Sequence, residues 1–182
     1  MIKYIDNKIW GPWGWHIFHC FTLSNIKMTK KNQKLYYKFY KLFGSMLPCF
    51  ICKNHYHNFF NLSETFNSDE LIEWSYNFHE NVNKNLGKES NFTLNDFYEK
   101  YEFIDSSIVF KYLDLIYLII PNDLCLIHLN TYINFLRLFM QLYPDDETRK
   151  LLSNNIDETY NIISCEDLKN FYIKIKNELP SM

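Results

Sequence analysis

The chain has 182 residues, enough for one or two domains whose core needs no support from disulfides or metals. Hydrophobic residues make up 47% and charged residues 22%, which is typical of globular proteins and excludes bulk disorder and a disulfide-dense miniprotein. The net charge of −2 and the scattered lysines exclude the concentrated positive surface that nucleic-acid binding requires. Alanine is absent and aromatic residues reach 19%, as in proteins encoded by A/T-rich codons, so the composition itself does not indicate a function.

The first ten residues contain Lys3, Asp6 and Lys8 and have no continuous apolar segment, so we expect no cleaved secretory signal. The most apolar stretches, 108–120 and 124–143, are interrupted by charged residues and proline, so we expect no membrane span. Without signal or span, the expected location is the cytoplasm. Five cysteines in such a chain favour redox or metal chemistry over a secreted disulfide scaffold.

Helical periodicity and capping signals run through nearly the whole chain and predict an all-α fold. Five helices are predicted in the first hundred residues, over 12–26, 31–46, 48–60, 68–87 and 93–101. Pro12 is expected in the first turn of the first helix, and Thr93 with Asp96 resembles the capping box of the fifth. These helices predict a four-helix bundle with a short fifth helix over residues 1–103.

The same signals continue beyond the bundle and predict an additional helical C-terminal region over 104–182. The stretch 108–120 predicts a core helix, 122–144 a long helix that begins at the Asn-Asp pair and ends at the proline, and Ser164 the start of a last helix. The sequence shows neither an internal repeat nor a flexible linker, so we expect this region to pack against the bundle.

Two cysteines separated by two residues follow Pro48 at a predicted helix start. Cys49 and Cys52 can close a short disulfide, and the positive end of the helix favours the thiolate of Cys49. His55 and His57 follow, however, and together with both cysteines they offer the ligand types of a zinc site. The motif therefore leaves two interpretations open: a redox disulfide with Cys49 as the exchanging thiol and Cys52 as its partner, or a zinc-binding interaction module.

Two further pairs of side chains are spaced four residues apart on predicted helices. Trp15 and His19 share a face of the first helix, and His79 and Asn83 share a face of the fourth. An indole, two imidazoles and a carboxamide can sandwich and hydrogen-bond a flat heterocycle between helices. Each pair taken alone is also compatible with ordinary core packing.

In this order, the segments resemble the Erv/ALR family of FAD-linked sulfhydryl oxidases. That family has Trp-x-x-x-His, then Pro-Cys-x-x-Cys, then Trp, then His-Asn-x-Val-Asn-x-x-Leu-Gly-Lys. The chain presents these elements as Trp15 to His19, Pro48 to Cys52, Trp74 and His79 to Lys88. The match covers about the first hundred residues, and Glu80 departs from it by replacing the Asn that follows the His.

The resemblance implies that FAD binds across the helical bundle rather than through a Rossmann turn. It assigns seven residues to the cofactor: Gly11, Trp15, His19, His79, Val82, Asn83 and Lys88. It further implies that a substrate thiolate attacks Cys49, that Cys52 passes two electrons to the flavin, and that dioxygen reoxidises the flavin to give hydrogen peroxide.

The resemblance also implies partners. The substrate would be a protein thiol, with a thioredoxin-like shuttle as one candidate, and the chain would pair through its bundle as a homodimer. An added helical tail and this codon bias resemble those of the family members found in large cytoplasmic DNA viruses. The likeness predicts a viral protein that acts in the host cytoplasm or the virion. We expect Cys20, Cys125 and Cys165 to be structural or free thiols.

Overall fold

The computed structural model describes residues 6–89, 91–120 and 126–179, and all the regular structure in these ranges is helical. The all-α prediction is confirmed. The α-helices are α1 (Asn7–Thr22), α2 (Lys30–Phe43), α3 (Phe50–Phe59), α4 (Ser68–Asn85), α5 (Leu94–Tyr101), α6 (Ser106–Ile119), α7 (Leu126–Leu142), α8 (Asp146–Ser153) and α9 (Cys165–Glu178). Short 3-10 turns follow α2 at Gly44–Met46 and α8 at Asp157–Asn161.

The first helix begins earlier than predicted. The Asp6 carboxylate accepts a hydrogen bond from the Lys8 N–H at 2.9 Å and caps α1, so Pro12 lies inside the helix rather than in its first turn. The predicted end near Ile26 is also wrong, because the Leu23 N–H closes the last turn on the His19 carbonyl. The additional N-terminal turn brings Trp10 into the folded bundle, where it is buried.

Helices α4 and α5 confirm the predictions for their region. Each begins with a reciprocal capping box, formed by Asn67 with Glu70 and by Thr93 with Asp96. Helix α4 ends just before Gly87, whose φ of +65° lies in the left-handed region that favours glycine.

The C-terminal helices include one that was not predicted. Helix α8 is short and highly polar, and Asp145 caps it by accepting a bond from the Thr148 N–H at 2.7 Å. The predicted start of the long helix at residues 122 and 123 lies outside the described residues. No helix in the described ranges is long and apolar enough to cross a membrane.

One apolar core runs through the bundle and the C-terminal helices. Helix α6 packs along α1, and α7 packs along α2, where the Phe39 and Phe135 rings stack with centroids 5.6 Å apart. The expected packing of the C-terminal region against the bundle is therefore confirmed. The division of the chain at residue 103 stays a prediction.

Candidate functional site

Cys49 and Cys52 form a disulfide at the start of α3, with their Cα atoms 5.1 Å apart. Cys49 is the N-cap, and its Sγ accepts a hydrogen bond from the Cys52 N–H at 3.2 Å. Both side chains are half-buried. The disulfide thus lies at the positive end of the α3 dipole, an environment that stabilises a thiolate released on reduction.

A close contact between Gly44 and Tyr56 fixes the helix that carries the disulfide. A Cβ atom on Gly44 would lie within 3 Å of three carbons of the Tyr56 ring, so only glycine permits this approach. The Tyr56 hydroxyl donates a 2.6 Å hydrogen bond to the Tyr40 carbonyl of α2, and the whole side chain is buried. Helix α3 is therefore tied to α2 one to two turns after the cysteines.

Aromatic rings from α1 and α4 stack beside the disulfide region. The Trp15 indole lies on the His79 imidazole with centroids 3.8 Å apart and planes at 14°. His79 Nδ1 and His19 Nε2 are hydrogen-bonded at 2.8 Å, and His19 Nδ1 is hydrogen-bonded to Ser75 Oγ at 2.8 Å. Three of the four side chains predicted from their spacing, Trp15, His19 and His79, thus contact one another. The hydrogen bond to Ser75 fixes the His19 ring.

Burial keeps both imidazoles neutral. Burial, with smaller contributions from the positive charges of Lys100 and Lys88, lowers the pKa of His79 to about 4. Burial also holds the pKa of His19 well below its ordinary value, with the neighbouring His79 contributing second. Near neutral pH, the pair presents flat uncharged rings joined by one N–H···N hydrogen bond.

A cavity of about 460 Å³ lies where α1, α3, α4, α5 and α6 meet. Its wall contains Cys52 and six of the seven residues predicted for the cofactor, namely Gly11, Trp15, His79, Val82, Asn83 and Lys88. The seventh, His19, is fully buried and contacts His79 from behind. Of the two disulfide cysteines, only Cys52 lines this cavity.

Sequence reasoning missed part of this wall. It did not select Trp10, His16, Lys100, Tyr101 or Ile108, all of which line the cavity. Lys100 and Tyr101 come from the end of α5, and Ile108 comes from α6, so no short-range spacing links them to the other residues.

The second imidazole partner, Ser75, was also missed, although a signal for it exists. Ser75 precedes His79 by four residues on α4 and so lies on the same helix face. A small hydroxyl side chain one turn before a selected histidine is a plausible hydrogen-bond partner for a neighbouring ring.

The residues of the zinc alternative are not assembled as a metal site. His55 lines the cavity one turn after Cys52, whereas His57 is exposed and is not part of the wall. Within 6–89, 91–120 and 126–179, no group of three or more Cys, His, Asp or Glu side chains is placed to hold a metal ion.

Of the other three cysteines, Cys20 and Cys165 are described by the structure, and neither lines the cavity. Cys20 is buried with its Sγ 3.5 Å from His16 Nε2, and burial raises the pKa of its thiol to about 12. Cys165 is a half-buried free thiol at the start of α9. Cys125 lies outside the described residues.

Comparison with known proteins agrees with this geometry. The sequence model of the Erv1/Alr family matches residues 13–102, which include the disulfide, the stacked rings and most of the cavity wall. Residues 13–102 of the chain belong to the Erv1/Alr family. Helices α6 to α9 lie outside the matched segment.

One similar protein is named a probable FAD-linked sulfhydryl oxidase and comes from Acanthamoeba polyphaga mimivirus. It is 32% identical over 85 residues, which cover 43% of this chain and 59% of the relative. The chain thus spans about three-fifths of the length of this relative. No solved structure matches the chain.

Proposed function

We propose that this Erv1/Alr protein is an FAD-dependent sulfhydryl oxidase that forms disulfide bonds in protein thiol substrates. The observation that carries the proposal is the position of Cys52, which belongs to a helix-capping disulfide and also lines the cavity walled by Trp15 and His79. Family membership and the printed name of the mimivirus relative support the same activity.

The cavity residues suit each part of FAD. The flat faces of Trp15 and His79 suit a stacked ring system, and the Asn83 carboxamide offers both a donor and an acceptor. Lys88 and Lys100 line the same cavity and provide positive charge for the two phosphates. When bound, FAD would supply a two-electron acceptor that dioxygen can reoxidise, with hydrogen peroxide as product.

Cys49 and Cys52 have different roles in the thiol chemistry. A substrate thiolate attacks the Cys49 sulfur, so the Cys49–Cys52 bond breaks, a mixed disulfide with Cys49 forms, and Cys52 leaves as a thiolate. A second substrate thiolate then attacks the substrate sulfur of the mixed disulfide, which releases the oxidised substrate and leaves Cys49 reduced. Cys52 lines the cavity, so the thiolate that it becomes can give up the two electrons there.

The surface around Cys49 is suited to a polypeptide substrate. Phe50 and Ile51, which lie between the two cysteines, are 76% and 64% exposed. An unfolded or extended protein thiol segment would meet these apolar side chains as it reaches Cys49. A thioredoxin-like shuttle is a second source of the same thiols.

One further part of the proposal follows from the sequence, namely that the predicted location is the host cytoplasm or the virion of a virus. The homodimer through the bundle stays a prediction from the resemblance and is not part of the proposal, because in this chain α6 and α7 pack along α1 and α2.

The proposal is tested with the full-length chain, purified after FAD has been supplied. We expect a yellow protein that bleaches on addition of dithiothreitol and consumes dissolved oxygen while producing hydrogen peroxide. Cys52→Ser should keep the flavin spectrum and lose turnover, whereas Cys165→Ser, at a free thiol outside the cavity wall, should keep both. A protein that stays colourless with FAD and contains zinc would overturn the proposal in favour of the metal-site alternative.

A further inference from the structure

Helices α6 to α9 repeat the order and spacing of α1 to α4. The first four helices begin at residues 7, 30, 50 and 68, and the later four begin at residues 106, 126, 146 and 165. Each later helix therefore begins 96 to 99 residues after its counterpart. The third helix is the shortest in each set.

The starts of these helices carry matching caps. Asp6 of α1 and Asp105 of α6 each accept a hydrogen bond from the N–H two residues later, at 2.9 Å and 2.8 Å. Asn67 of α4 and Ser164 of α9 each accept one from the N–H three residues later, at 3.0 Å and 3.1 Å. Each cap lies at the same distance along the chain from its counterpart as the helix that it begins.

The start of α8 corresponds to the redox turn of α3. The pair Pro144–Asp145 lies 96 residues after Pro48–Cys49, and each pair is followed by a short helix. Asp145 accepts from the N–H of Thr148 at 2.7 Å, just as Cys49 accepts from the N–H three residues later. The capping hydrogen bond is the same in both turns, but Asp145 and Thr148 occupy the positions that correspond to Cys49 and Cys52.

The helix contacts are those expected if an approximate two-fold axis relates the two sets. Helix α1 packs on its counterpart α6, and α2 packs on its counterpart α7, as helices do across an isologous interface. Within each set, the first helix also packs on the fourth, as α1 on α4 and α6 on α9. Phe39 stacks on Phe135, the residue 96 positions later, so the same position of both sets meets at the axis.

The second set has no counterpart of the stacked rings. Asp114 stands 99 residues after Trp15, and Lys176 stands 97 residues after His79. The Lys176 Nζ contacts both carboxylate oxygens of Asp114, at 2.6 Å and 2.8 Å. A surface ion pair thus connects α6 to α9 at the positions where an aromatic stack connects α1 to α4.

We infer that residues 106–178 form a second copy of the four-helix bundle, which has lost the redox and cofactor side chains and covers the α1–α2 face of the first. The chain is then a single-chain equivalent of a two-fold dimer with one flavin site. The sequence-based expectation of no internal repeat misses this copy, because the corresponding positions share helix caps and burial rather than residue identities. A second chain has no access to α1 and α2, so the predicted homodimer through this face does not form.

The inference is tested by sedimentation of the full-length protein, recorded at 280 nm and in the flavin band. We expect one species with the mass of a single 22.2 kDa chain across a wide range of concentration, carrying one FAD per chain. A two-chain particle would overturn the inference, as would two FAD per chain. The mass measurement does not depend on the flavin, so it stands even if the proposed oxidase activity fails.

A pair of matched variants tests the role of the α2–α7 contact. Phe135→Ala truncates a fully buried ring on that contact, whereas Phe97→Ala makes the same truncation in α5, away from it. Phe135→Ala leaves a cavity in that contact, and because the other buried residues of α7 still hold it against α2, both variants should remain single chains. A folded variant of either kind that forms a two-chain particle would contradict the inference; if Phe135→Ala does not fold, the mass of the unmodified chain decides.

Discussion

Replacing Gly44 by alanine should loosen the helix that carries the disulfide. The new Cβ would fall within 3 Å of three Tyr56 ring carbons, and the ring is held by its hydrogen bond to the Tyr40 carbonyl and by complete burial of its surroundings. Overpacking of this kind costs about 1–3 kcal/mol. Alanine recovers roughly 0.4–1 kcal/mol of this by restricting the unfolded chain, because the backbone at Gly44 is already helical. The net loss should be about 1 kcal/mol, equivalent to a fall in Tm of about 2–4 °C for a chain of this size.

The assay is urea unfolding of the flavin-free protein, with Gly11→Ala as the matched control. A Cβ on Gly11 meets nothing within 4 Å, so this helical glycine should tolerate alanine and gain up to about 1 kcal/mol. Because Gly11 lines the cavity, the same control should weaken FAD binding while it stabilises the fold. Equal unfolding midpoints for Gly44→Ala and the unmodified chain would refute the argument that the Tyr56 contact fixes α3.

Three other outcomes follow from the site. The pKa of His79 lies at about 4 in the folded protein against an ordinary value of 6.5, so its contribution to stability, present above pH 6.5, should be lost as the pH falls towards 4, by at most about 3 kcal/mol. Urea midpoints across this range should show the loss, and His79→Gln should reduce it and leave the part that is due to the buried His19. Thiol alkylation of the native protein at pH 8, read by mass spectrometry, should modify Cys165 and spare Cys20, whose buried thiol has a pKa of about 12; rapid labelling of Cys20 would contradict its burial. Lys100→Gln should weaken FAD binding about tenfold, measured by flavin fluorescence titration, and an unchanged affinity would remove Lys100 from the phosphate contacts.

The parts of the fold that could be predicted from the sequence are those controlled by neighbouring residues. The capping box of Thr93 with Asp96 depends on four consecutive positions, and the structure forms it as expected. The predicted start of α1 was wrong because the local sequence offers two starts. Pro12 suits the first turn of a helix, but Asp6 caps a longer helix that begins earlier. Local rules thus identify candidate boundaries, but tertiary burial of residues such as Trp10 decides among them.

The candidate site also combines residues that the sequence could predict with residues that it could not. Spacing on one helix identified Trp15 and His79 as members of a ring cluster, although it could not show that these two rings would stack on each other across helices. Lys100 and Ile108 reach the same cavity from α5 and α6, and only the packing of those helices against α1 brings them there. Such contacts depend on residues far apart in the chain, so no periodicity or motif contains them.

The sulfur of Cys49 both caps α3 and belongs to the disulfide, and the cap of α8 shows which of these roles needs a cysteine. Cys49 Sγ accepts the hydrogen bond that begins α3, and the sulfur is also the one that a substrate thiolate would attack. Asp145 makes the corresponding bond at 2.7 Å with a carboxylate, which is a stronger acceptor and suits the positive helix end. A cysteine at this position is therefore not needed for the helix to begin. Its presence in α3, next to a cavity wall that contains Cys52, is explained by the exchange chemistry rather than by the fold.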